Sequence, residues 1–201
     1  MDGKQDSLSD LVTSAQQRVK ELRKSESGDL AALLAAAEAA ADAIERRVGE
    51  GSTDLEREAL IAVKRFTYNA AADCWPGWSE TAAAPDPQIL AAGLKLAQRS
   101  HGLVVKLGLG PIQEGTGTWL VGAFELALSR YEAAREAFAH ARESYIAAKA
   151  PGLVLLTEGY LAIVHGDVEA VCARIAVGGF EDGPEWIEQL RTAAKVFGRR
   201  G

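Results

Sequence analysis

Leu8, Leu11, Val12, Ala15, Val19 and Leu22 recur at three- and four-residue spacing with polar residues between them, which predicts an amphipathic helix. Ser25 to Gly28 break it. Asp29 can cap a second helix with Leu30, Leu33, Leu34, Ala37, Ala41, Ile44 and Val48 on one side, and Gly49 and Gly51 end that helix. Thr53 with Glu56 three residues later has the form of a capping box, opening a third helix through Leu60, Val63 and Phe66 to about Cys74. Pro76 stops it, because proline lacks the N–H and its ring collides with the preceding turn. Ser79 to Pro85 reads as a loop. Asp86-Pro87 then supplies an N-cap and a proline at the first helical position.

A fourth helix runs from about Pro87 to Leu107 and is ended by Gly108, Gly110 and Pro111. The pattern predicts a fifth from about Gly115 to Leu128, a sixth from Tyr131 to about Lys149 and a seventh from Pro151 to about His165. Gly166-Asp167 is a tight turn before an eighth helix, Val168 to about Val177. Gly178 to Gly183 is a loop, and Pro184 starts a last helix ending near Phe197. Apolar pairs such as Val104-Val105 sit inside helical patterns, so no strand is predicted. About nine helices on short loops imply an all-α fold of stacked antiparallel hairpins.

The segment from Trp119 to Ala141 resembles a tetratricopeptide repeat. Gly122, Ala134, Phe138 and Ala141 hold the spacing of that family's pattern, with Tyr131 at the turn. Gly122 and Ala134 would let two helices approach closely while Phe138 fills the gap to the next hairpin. Trp119 lies one position too close to Gly122, Glu125 stands where an aromatic is expected with Phe124 beside it, and Pro151 closes the repeat late. A weaker second copy follows: Gly159 lies 37 residues after Gly122, and Val171 and Ile175 fall where Ala134 and Phe138 fell. The resemblance implies a short α-α solenoid over residues 111–201 with a capping last helix, stacked on N-terminal hairpins in residues 1–110, all one helical domain.

Composition agrees with helix. Alanine is abundant and β-branched residues are modest, and alanine loses no side-chain entropy in a helix. The net charge of −6 and the lack of a basic stripe beyond Arg199-Arg200 argue against a nucleic-acid partner, which would need cations to displace counterions from phosphate. Cys74 and Cys172 stand far apart and read as small buried hydrophobes. Met1 to Asp10 is polar, so no signal peptide is expected, and charges interrupt every apolar run before membrane-spanning length. A cytoplasmic protein follows by elimination.

No catalytic motif is complete. Gly108-Leu109-Gly110 and Gly115-Thr116-Gly117 lack the strand and the lysine of a phosphate loop. His101, His140 and His165 lie on different helices without metal-ligand spacing, so neither a metal nor a cofactor is expected. Arg65, Asn69 and Asp73 form an i, i+4, i+8 row on the third helix, followed by Trp75 and Trp78. That row beside two aromatic walls is suited to gripping a peptide or a small polar ligand. The same residues could instead satisfy helix ends and pack a turn.

In tetratricopeptide repeats the first helix of each hairpin lines the groove. Carried onto this chain, that would present Trp119, Ala123 and Leu126, then Leu156, Tyr160 and Ile163, unless the same residues are core. The expectation is a non-enzymatic module binding a protein or peptide, or its own copy as a homodimer. A small-ligand site or enzyme around Arg65, Asn69 and Asp73 is the alternative.

Overall fold

A computed structural model describes residues 7–25, 28–48, 53–80 and 86–198. Gly49, Gly51, most of the expected loop before Asp86, and Arg199-Arg200 lie outside the described residues. The described chain is all helical: α1 (Leu8–Arg23), α2 (Leu30–Glu45), α3 (Asp54–Asp73), a single 3-10 turn (Pro76–Trp78), α4 (Pro87–Leu107), α5 (Pro111–Ala127), α6 (Tyr131–Ala147), α7 (Pro151–His165), α8 (Val168–Gly178) and α9 (Gly183–Phe197). None of these helices is long and apolar enough to cross a membrane.

Local chemistry sets the starts. The Asp29 carboxylate accepts from the Ala32 N–H at 2.9 Å, and Asp86 accepts from the Gln88 N–H at 2.8 Å. Thr53 and Glu56 satisfy each other's backbone N–H groups at 3.2 and 3.1 Å, as a capping box requires. One start differs from the sequence reading: α5 begins at Pro111, not near Gly115. Pro111 opens the helix rather than ending the previous one, because the first turn leaves its N–H groups unbonded and proline has none to lose.

Three successive turns share one geometry. After α4, α5 and α6 the chain passes through the left-handed region at Gly108, Ser129 and Lys149, with φ of 58°, 59° and 55°. In each turn the next residue's N–H reaches back to a carbonyl in the last helical turn: Leu109 to Val104, Arg130 to Glu125 and Ala150 to Tyr145, at 3.2, 2.9 and 3.0 Å. These are Schellman caps, and only the first has the glycine that makes the conformation cheap.

Each helix packs on the next, giving a repeat-like succession in two rows. Contacts between α1 and α3, and between α7 and α9, knit the odd-numbered row; α2 against α4 joins the even one. Packing crosses residue 110 without a break, since α4 lies against α5. Gly122 performs the role its spacing implies: a Cβ there would sit 2.9 Å from the Phe138 ring. Gly159 departs from the repeat. Its nearest neighbour is Leu190 of α9, not its hairpin partner α8. Glu125, at the expected aromatic position, is buried and paired with Arg130 at 3.3 Å, while Phe124 packs against Gly93 of α4.

The C-terminal helix also returns to the chain's middle. α9 packs on the 3-10 turn, Phe197 stands 5.7 Å from the Trp75 ring, and Lys195 pairs with Glu80 at 2.7 Å across 115 residues.

Candidate functional site

The aromatic residues that the sequence offers as groove walls form an interior instead. Trp75 is 2 % exposed, and the rings of Trp78, Trp119 and Tyr160 surround it at 4.8, 5.7 and 5.9 Å. Its N–H donates to the Ala123 carbonyl of α5 at 2.9 Å. Tyr160 is fully buried and its hydroxyl accepts from Gln189 of α9 at 2.6 Å. Ala123, Leu126 and Ile163 are buried as well, and Leu156 half-buried. The cause is the 3-10 turn and α9, which lie across the middle of the odd row. The question left open by the sequence, groove or core, is answered as core for Trp75, Trp119 and Tyr160.

Trp78 is the exception, 47 % exposed, with its N–H bound to the Ala72 carbonyl at 2.6 Å. The Trp119 indole nitrogen is buried without a hydrogen-bond partner among the described residues.

Arg65, Asn69 and Asp73 share a face of α3 but do not meet the tryptophans in one pocket. Asp73 is engaged by the Arg23 guanidinium of α1, with Nη2 at 3.0 Å and Nε on the other carboxylate oxygen. That hydrogen bond, with the charge of Asp73 added, raises the Arg23 pKa against a smaller effect of burial. Asn69 is half-buried. Thus Asp73 faces α1, whereas Trp75 faces α5, α7 and α9.

Arg65 is exposed and lines two cavities that run along α3. One, of about 280 Å³, lies between α1 and the first half of α3, walled by Leu8, Val12, Leu55 and Ile61. The other, of about 300 Å³, lies between α3 and the start of α5, bounded by Leu109 and Gln113. Ile61 and Arg65 wall both, so the two cavities adjoin on either side of these residues.

Lys64 was missed by the sequence reading, which took only the i, i+4 row. Its ammonium donates to Gln113 Oε1 at 2.8 Å and sits 5.5 Å from the Tyr68 ring centroid. Burial depresses its pKa and the adjacent Arg65 charge adds to that. Neither Lys64 nor Arg65 is paired with a carboxylate among the described residues. Tyr68 is held neutral, its pKa pushed up to about 12 by burial with Tyr145 adding to the shift.

A wider, more apolar depression of about 570 Å³ lies elsewhere, between α6, α7 and α8, around half-exposed Ile146. No group of three or more His, Cys, Asp or Glu side chains among the described residues is arranged to hold a metal. Both cysteines are free and buried, and burial, with the Asp73 charge adding, pushes the Cys74 thiol up to about 12.

No family model, no curated protein and no solved structure matches this chain.

Proposed function

We propose that this chain is a non-enzymatic interaction module of the tetratricopeptide type that docks a partner polypeptide in the groove along α3. The observation that carries the reading is the pair of adjoining cavities along α3 that share Ile61 and Arg65, beside a middle of the fold filled by the chain's own aromatic residues around Trp75. A row closed around Trp75 has no free aromatic groove to offer, so an incoming segment meets α1, α3 and the start of α5. The groove mixes apolar walls with a few polar groups, the composition of a peptide-binding surface. The Gly122–Phe138 packing supports the tetratricopeptide comparison. A cytoplasmic setting belongs to the same proposal and is supported by the two free thiols.

The alternative of a small-ligand site at Arg65, Asn69 and Asp73 has less support, because Asp73 is already neutralised by Arg23.

The test is site-specific photocrosslinking in the native cells. A photoreactive amino acid replaces exposed Thr13 in the groove, and Glu136 on α6 as the control position. A discrete polypeptide adduct at Thr13 and none at Glu136 is expected. Equal adducts at both positions, or none at Thr13, would overturn the reading.

A further inference from the structure

We infer that the partner segment is acidic and amphipathic, seating a carboxylate at Lys64 and Arg65 with apolar side chains over Leu55, Val12 and Ile61. This rests on the docking groove proposed above and specifies its occupant.

The first ground is uncompensated charge. Lys64 and Arg65 are neighbours on α3 and repel each other, yet neither has a carboxylate partner, in a chain whose net charge is −6. The other half-buried cations of the described chain are matched: Arg99 binds both Asp42 and Glu45, and Arg142 binds Glu158. The chain has carboxylates to spare and places none on this pair. Lys64 is also held in position, half-buried, by Gln113 and the Tyr68 ring, so little side-chain freedom remains to be lost on binding.

The second ground is the adjoining apolar wall. Leu55 is 52 % exposed, and with Val12 and Ile61 it borders the same cavity as Arg65. Glu58 lines this end, seven residues before Arg65 and so about 10 Å away along the helix. A polyanion would run its charges past Glu58, whereas a segment with one acidic position next to apolar ones avoids it. The geometry therefore favours a carboxylate-bearing peptide over a nucleic acid.

The test uses a random 16-residue peptide library displayed on phage, selected on the full chain at low salt. Enriched peptides should carry Asp or Glu flanked by Leu, Ile or Phe. Synthetic versions should bind Lys64→Gln/Arg65→Gln protein about ten-fold more weakly than wild type, and Ile146→Ser protein unchanged. Circular dichroism and melting check that the variants remain folded. Peptides that lose binding to Leu55→Ser protein but ignore the Lys64/Arg65 double variant would sink the acidic inference and leave the groove standing. Peptides insensitive to both, or an empty selection, would sink both. Poly(U) binding abolished by the double variant would make the site one for nucleic acid and overturn the inference. A dimer in sedimentation that the double variant dissociates would make the occupant a second copy, with the same consequence.

Discussion

Gly122 is where the repeat reading meets a measurable energy. An alanine Cβ there would sit 2.9 Å from two carbons of the Phe138 ring and 3.2 Å from the Ala137 Cβ. Phe138 cannot swing aside freely: it is fully buried, and the Tyr160 ring stands 5.3 Å from its own. Forcing a methyl group into such a place costs about 1–3 kcal/mol. Against it stands the gain of ~1 kcal/mol for replacing glycine by alanine inside a helix. The overlap involves a rigid ring, so the packing cost prevails and Gly122→Ala should lose up to about 2 kcal/mol. Gly102 on α4 supplies the internal control, since a Cβ there meets nothing within 4 Å and only the helix-propensity gain remains. Gly102→Ala should be more stable by up to ~1 kcal/mol. Urea titrations followed by helical circular dichroism give both values. Adding Phe138→Leu to Gly122→Ala should recover part of the loss relative to Phe138→Leu alone. Equal signs for the two glycine variants would refute the close-packing argument.

Two further outcomes follow from the turns and from the ion network at Glu158. Ser129 and Lys149 hold left-handed backbone that Gly108 adopts without penalty, so Ser129→Gly and Lys149→Gly should each stabilise by about 0.5–1 kcal/mol in the same titration; loss of stability would mean that their side chains hold the turns. Burial raises the Glu158 pKa, but the hydrogen bonds from Arg142 and Arg174 outweigh it and leave the carboxyl below its ordinary value. Its contribution is therefore present above the unfolded carboxyl pKa and fades as pH falls through the lower folded value, so Glu158→Gln should flatten the decline in melting temperature below about pH 4.5; an unchanged acid limb would show that the network carries no pH-dependent stability.

Helix positions were legible in the sequence because their determinants are local. The Thr53–Glu56 box, the Asp29 and Asp86 caps and the prolines at the first turns act within a few residues. Gly122 and Phe138 were also legible, since they face each other within one hairpin. What the Pro76–Trp78 turn does was not. Trp75 is fixed by the Ala123 carbonyl 48 residues on, and Lys195 meets Glu80 across 115. Such contacts depend on how many hairpins stack and how far α9 reaches, and no spacing along the chain encodes that. The same reason hid Lys64. An adjacent Lys-Arg pair on a helix is ordinary, and it became a candidate site only when packing set Gln113 beside it, 49 residues away, and left cavities on the α1 and α5 sides of α3. The sequence determined the helices and the face each one buries; the stacking of those faces decided that Trp119 and Tyr160 are core and that the open surface lies along α3.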